Sequence, residues 1–187
     1  MELALTGARI LDANGRRFLE VPRFDRCGHA GRLGVVSLET LHAAAIGAGI
    51  RREWTVAAAE LLCAEMIDEA TLSTIRRLHA FGELIGNSDM HFGNLAFWLD
   101  DSLPFRTAPA YDMLPMHWAP GTQGELSDRP FNPSPPLPAD ASAWQEAASW
   151  AEIFWTRLLD EPLLSDEFKG FAATAHGTVR RLRRGRK

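Results

Sequence analysis

Asp89, His91 and Asn94 stand at i, i+2 and i+5 in the segment 86–94, Gly-Asn-Ser-Asp-Met-His-Phe-Gly-Asn, and Asp112 follows after an apolar stretch. A carboxylate, an imidazole and a carboxamide on one short loop can serve phosphoryl transfer. That chemistry needs a carboxylate beside the attacking hydroxyl and oxygen ligands for a hard cation such as Mg²⁺, with water and phosphate completing its shell. Asp89 can take the hydroxyl proton, and Asn94 with Asp112 can hold the metal. His91 can hydrogen-bond a phosphate oxygen or brace the loop. The same residues admit metal-assisted hydrolysis with Asp89, His91 and Asp112 as joint ligands, although a single histidine is slender support for that set. An Asp-x-His-x-x-Asn match arises by chance in about one chain of this size in a hundred.

Such a loop must be carried by regular elements. Asp68 is placed to cap a helix whose Leu72, Ile75, Leu78, Phe81 and Ile85 recur every three or four residues, and Gly86 stops it just before the loop. After the loop, Leu95 to Leu99 reads as a short apolar strand, Asp100-Asp101 turns the chain, and Phe105 to Ala110 returns antiparallel to bring Tyr111-Asp112 back.

Nearer the start, Asn14-Gly15 favours a hairpin turn between strands around Arg9–Leu11 and Arg17–Val21. Pro22 cannot donate to a ladder, so the second strand leaves its sheet there. Met1 to Leu5 is short enough to be a helix end, and Cys27 to Gly34 reads as loop. Ser37 caps a short helix through Ala45, ended by Gly47-Ala48-Gly49. Thr55 caps another, with Val56, Ala59, Leu62, Cys63, Met66 and Ile67 as its apolar face. From Pro115 to Pro138 the chain is rich in proline and small polar residues, a long loop that is either ordered or mobile. Ser142 and Gln145 have capping-box spacing before Trp144, Ala148, Ala151, Trp155 and Leu158, and Glu161-Pro162 breaks that helix. Ser165 opens the last helix, with Asp166 and Glu167 in its first turn and arginines at its end.

At 187 residues and 46% hydrophobic, the chain can bury one sizeable core. Two cysteines make neither a disulfide framework nor a zinc site. No apolar run approaches the ~20 residues of a membrane span, and the N-terminus lacks the pattern of a signal peptide, so a cytoplasmic setting without membrane contact is expected. The net charge of −4 does not by itself suggest a polyanion partner, but Arg180 to Lys187 carries six positive charges. This tail reads as a solvated helix end, with nucleic-acid or protein contact as alternatives. The six tryptophans read as core anchors, and His79 and His117 as packing residues.

The segments Asn87–Asn94 and Pro109–Pro115 together resemble the catalytic segment of the HipA family, bacterial serine/threonine kinases of which several are toxins of toxin–antitoxin pairs. The Asp-x-His-x-x-Asn order is also similar to that of phosphatidylinositol-kinase-like enzymes. Val21–Arg26, Gly31-Arg32 and Ser37–Glu39 resemble the family's hinge and the segment after it. The resemblance runs from Gly15 to about Leu182.

It implies an α+β, mostly α, protein-kinase-like C-terminal lobe with short β-hairpins and a helical bundle. Asp89 would be the catalytic base with His91 in support, and Asn94 and Asp112 the Mg²⁺ ligands. Pro22 and Phe24 would meet the adenine of ATP through their backbone, and Asp25 the ribose. One lobe is expected over 1–187: a remnant N-lobe hairpin and hinge at 1–26, catalytic core at 27–114, Pro-rich loop at 115–140, and C-terminal helices with the basic tail at 141–187. The implied partners are a protein substrate, an aminoacyl-tRNA synthetase by family analogy, and an antitoxin or a separate N-lobe. The Pro-rich loop would stand where kinases place their activation and substrate segment.

One departure is large. A kinase of this type needs a phosphate-covering loop and a lysine that reaches the phosphates, yet the only lysines are Lys169 and Lys187. The sequence therefore reads as a C-terminal lobe alone. Two alternatives remain: an inactive split or truncated lobe that acts by binding protein, or a metal-dependent phosphohydrolase.

Overall fold

The helices begin where short polar side chains take up free amide groups. In the computed structural model, which describes residues 8–47, 53–126 and 129–185, Ser37 accepts from the Thr40 N–H at 3.2 Å and opens α1 (Leu38–Ala45). Asp68 accepts from the Thr71 N–H at 2.8 Å and opens α3 (Glu69–Leu84), while Ser165 accepts from the Phe168 N–H at 3.2 Å and opens α5 (Asp166–Arg184). All three are the expected caps.

Two other caps differ from expectation. Helix α2 (Trp54–Cys63) has Glu53 at its N-cap, so Thr55 lies inside it. Buried Trp54 anchors the first turn and pulls the helix start forward. Helix α4 (Ala141–Asp160) follows a 3₁₀ turn at Pro138–Asp140, which puts Ser142 inside the helix with no capping box. A proline suits the start of such a turn because its fixed φ is already helical. The apolar face of α2 also differs. Trp54, Ala57, Ala58 and Leu61 are buried, whereas Val56 and Cys63 are exposed. Apolar residues lie all round this helix, so periodicity cannot select a face.

Strands β1 (Arg9–Ala13) and β2 (Arg16–Glu20) form the expected hairpin, with positive φ at Asn14 and Gly15. Between 27 and 34 the expected loop is a small hairpin of β3 (Arg26–Cys27) and β4 (Gly31–Arg32), too short to leave an alternating pattern. Strand β5 (Val35–Ser37) pairs antiparallel with β6 (Ala96–Trp98), the apolar strand after the loop. The expected return over 105–110 is narrower than a strand. Phe97 and Thr107 form one bridge, flanked by bonds from the Trp98 N–H to the Arg106 carbonyl (2.9 Å) and from the Ala108 N–H to the Ala96 carbonyl (2.8 Å).

The protein is thus mixed α/β and about half helical, with short antiparallel hairpins. Its core lies among α3, α4 and α5, where Trp144, Trp155, Ile75, Leu84 and Val179 are fully buried. The Pro-rich segment is pinned to it by Trp118, which stacks edge-on to Trp155 at 5.4 Å. Trp54, Trp118, Trp144 and Trp155 are core anchors, as expected. So is the packing role of His79 against Trp54 and of His117 against Trp118. Arg183 in the basic tail is tied to Glu152 of α4 at 3.0 Å. Met1–Leu5, Ala48-Gly49 and Arg186-Lys187 lie outside the described residues. Among the described residues, no helix is long and apolar enough to cross a membrane.

Candidate functional site

The loop is aimed by the way α3 ends. Gly86 takes φ +72°, and the Gly86 and Asn87 amides fold back onto the Glu83 and Gly82 carbonyls at 3.1 and 2.8 Å. This is a Schellman end, and it turns the chain sharply out of the helix. Only glycine suits the position, since a Cβ there would sit 2.7 Å from the Trp118 ring.

From here buried Asn87 organises both halves of the site. Its Oδ1 accepts from the Asp89 N–H at 3.0 Å, and its Nδ2 donates to the Asp112 carbonyl at 3.3 Å. The residue that follows the helix therefore ties the proposed base to the proposed metal hairpin. Asn94, also buried, donates through Nδ2 to the Asp89 carbonyl at 2.9 Å. Only the amide nitrogen can donate, so that bond fixes the flip and leaves Oδ1 as the atom for a cation.

His91 Nδ1 accepts from the Gly93 N–H at 3.0 Å and caps the 3₁₀ turn Phe92–Asn94, while the His91 carbonyl accepts from Trp54 Nε1 at 3.1 Å. Its observed part is to brace the loop, with Nε2 left for other contacts. Asp89 and Asp112 are exposed. Asp112 adopts φ +56°, a left-handed conformation that aspartate tolerates better than most residues, at a cost of about 1 kcal/mol.

The hinge segment faces a cleft of about 660 Å³ lined by Pro22, Phe24, Asp25, Val35, Ala110 and Tyr111, among others. The Phe24 ring meets Tyr111 at 5.9 Å and Trp98 edge-on at 5.6 Å. Both Asp25 carboxylate oxygens are held by Arg23, at 2.7 and 2.6 Å. That pairing keeps its carboxyl below the usual carboxylate range and leaves only its remaining lone pairs for a ribose. Tyr111 closes the cleft on the loop side, where its hydroxyl donates to the Gly93 carbonyl. Burial, with the Asp112 carboxylate adding, pushes the phenol up, so it keeps its proton and remains a donor at neutral pH.

The structure thus brings the hinge residues into one cleft and joins that cleft to the loop that carries Asp89, His91 and Asn94. It ties the Asp112 carbonyl to the same loop through the Asn87 side-chain amide. No group of three His, Cys, Asp or Glu side chains suited to a metal ion occurs among the described residues, so the expectation of Asp89, His91 and Asp112 as joint ligands is not met. A site built on one carboxylate and one carboxamide oxygen still suits Mg²⁺, which keeps several waters and takes few protein ligands.

Sequence reading missed Asn87 and Tyr111. The signals were there: an asparagine two residues before Asp89, and the chain's single tyrosine next to Asp112. On the other side of the loop, a concavity of about 470 Å³ is lined by Glu53, Trp54, His79, Glu83, Asn87, Ser88 and Met90. Burial holds His79 below the ordinary histidine range and Glu83 above the carboxylate range.

Comparison with known proteins gives the family of the chain. A family model described as HipA-like C-terminal domain matches residues 1–161. The chain is similar to Toxin YjjJ of Escherichia coli (strain K12), at 35% identity over 179 residues that cover 96% of this chain and 40% of that protein. Among solved structures it is similar to a chain of the Shewanella oneidensis MR-1 toxin–antitoxin complex of HipA, HipB and its operator DNA. There the TM-score is 0.57 with 19% identity, over 95% of this chain and 51% of that one. At that identity the likeness concerns the fold alone. The chain spans about half, or less, of the length of these relatives.

Proposed function

The chain belongs to the HipA-like C-terminal domain family, and on that premise we propose that it is the nucleotide- and metal-holding lobe of a HipA-type serine/threonine kinase that acts as a toxin. The observation that carries this reading is the joining of the hinge cleft to the catalytic loop, through Tyr111 on Gly93 and Asn87 on both Asp89 and Asp112.

In this reading the cleft takes the adenine of ATP between the Phe24 and Tyr111 side, with the Pro22 carbonyl free to accept from the base amine. Pro22 has no N–H to offer, which makes that carbonyl the polar contact of the position. Asp25 meets the ribose through the lone pairs that Arg23 leaves. Asn94 Oδ1 and the Asp112 carboxylate hold Mg²⁺, which neutralises the charge that builds on the transferred phosphoryl group. Asp89, exposed at the front of the loop, orients a serine or threonine hydroxyl of a protein acceptor and accepts its proton. His91 keeps the Phe92–Asn94 turn closed so that Asn94 and Asp89 stay in register.

Such a lobe works with a phosphate-covering loop and a lysine from a second lobe. The relatives' greater length supports the view that their further residues supply these. The relatives' names, Toxin YjjJ and a HipA bound with HipB and operator DNA, support an antitoxin partner for this chain. An aminoacyl-tRNA synthetase as substrate and a cytoplasmic setting rest on family analogy.

A second reading draws on the β1–β2 hairpin, whose Phe18 and Leu19 are 49% and 67% exposed. In it the lobe is inactive by itself and binds protein over that hairpin. Asp89→Asn tests the first reading. With a matching N-lobe supplied, the variant should keep Mg²⁺–ATP binding by calorimetry, keep its thermal transition, and lose phosphoryl transfer to protein by several orders of magnitude. Transfer at the wild-type rate would sink the assignment of Asp89. A wild-type chain that binds no nucleotide, with or without an N-lobe, favours the second reading.

A further inference from the structure

Tyr111 meets both the loop and the hinge cleft. Its hydroxyl donates to the Gly93 carbonyl, its ring lies 5.9 Å from Phe24 inside the hinge cleft, and its chain neighbour is Asp112. Gly93 is held from its other side by His91 Nδ1, and the peptide that follows leads straight into Asn94. The Asn94 side chain in turn reaches the Asp89 carbonyl. A movement of the Tyr111 ring would therefore release the Gly93 carbonyl and loosen the turn that sets Asn94.

We propose that Tyr111 is a positioning residue that couples occupancy of the hinge cleft to the geometry of the Asn94–Asp112 pair. A flat ring seated in the cleft packs against the Tyr111 ring and holds its hydroxyl on Gly93. The metal-holding oxygens are then best aligned when the cleft is filled. The inference rests on the nucleotide reading above. It assigns to one side chain the link between base recognition and metal holding.

The experiment uses the 187-residue chain and three measurements. Hydrogen exchange without ligand reads the hydroxyl contact alone. Tyr111→Phe should speed exchange of the Gly93 and Asn94 amides by about fivefold, the scale of one lost hydrogen bond, and leave α3 unchanged. Adenosine, which carries no phosphate and needs no metal, reads the ring by calorimetry. Its affinity should be unchanged in Tyr111→Phe and about tenfold weaker in Tyr111→Leu. A Mg²⁺ titration of the ATP complex reads the coupling, and here Tyr111→Phe should weaken the metal by about fivefold.

Wild-type exchange in Tyr111→Phe overturns the clamp on Gly93. Equal losses of adenosine and of Mg²⁺ affinity in that variant overturn the coupling while the nucleotide reading stands. A wild-type chain that binds neither adenosine nor ATP, with or without a matching N-lobe, overturns the nucleotide reading and the coupling together, and the exchange result then still reports on the clamp.

Discussion

The β1–β2 hairpin and the helical body around Trp155 are held together by opposite means. Every residue of the two strands is exposed, and register comes from the Asn14-Gly15 turn and from ion pairs, Arg9 with Glu20 and Arg17 with Asp12. Apolar pairs occur on both faces, Ile10 opposite Leu19 and Leu11 opposite Phe18. In the body, by contrast, Trp155 is fully buried, touches Trp118, Phe131 and Phe154, and donates to the Leu84 carbonyl at 3.1 Å. The hairpin is thus specified by local chemistry and by itself contributes little stability. The body is specified by burial. The candidate site sits between them, with its catalytic loop fastened to the body and its hinge continuing from the hairpin.

The contrast can be broken most forcefully from the body. Trp155→Ala removes a fully buried tryptophan at the junction of α3, α4 and the Pro-rich segment. It should cost about 3–5 kcal/mol, measured by chemical denaturation, and release the Pro115–Pro138 segment to proteolysis. Gly86→Ala comes next. A left-handed alanine and a Cβ 2.7 Å from Trp118 should together cost about 2–3 kcal/mol and misdirect the loop. Nucleotide affinity should fall with it, whereas a purely local turn defect would leave affinity intact.

A smaller effect depends on pH. His79 is held neutral by burial, against the opposing pull of Glu53 and Asp140. Its stabilising contribution is therefore present above the unfolded value of about 6.5 and lost as pH falls below it, because the unfolded chain binds the proton more readily. The slope cannot exceed about 1.4 kcal/mol per pH unit for one proton. Denaturation at pH 5 and pH 7.5 should show a difference that shrinks in His79→Gln. Glu83, one turn away and pushed up by burial, acts in the opposite sense: its contribution is lost as pH rises through its folded value. The least effect belongs to the hairpin. Leu19→Thr should change the stability of the chain by no more than about 0.5 kcal/mol, and a larger loss would mean that the hairpin is part of the body after all.

These two regions also differ in how far they could be read from residues alone. The Asn14-Gly15 turn, the caps at Ser37, Asp68 and Ser165, and the end of α3 at Gly86 are all local chemistry, and all stand where the sequence puts them. The caps at Thr55 and Ser142 are equally good local choices, yet packing of Trp54 and the turn at Pro138 overrode them. The β5–β6 ladder joins segments far apart in the chain, and neither strand carries a mark of its partner. For the site, the types and spacing of Asp89, His91, Asn94 and Asp112 were legible because they lie on one loop and one hairpin.

By itself, then, the sequence determined which groups are available for chemistry and where helices start and stop, because both depend on neighbours within a few residues. Tertiary structure decided which groups meet. It took packing of Trp118 under Gly86 to aim the loop, Asn87 to tie Asp89 to Asp112, and Tyr111 to join Gly93 to the hinge cleft. Apart from the short-range bond between Asn87 and Asp89, these contacts link residues far apart in the chain, and they form only when the buried core fixes the helices from which the loops depart.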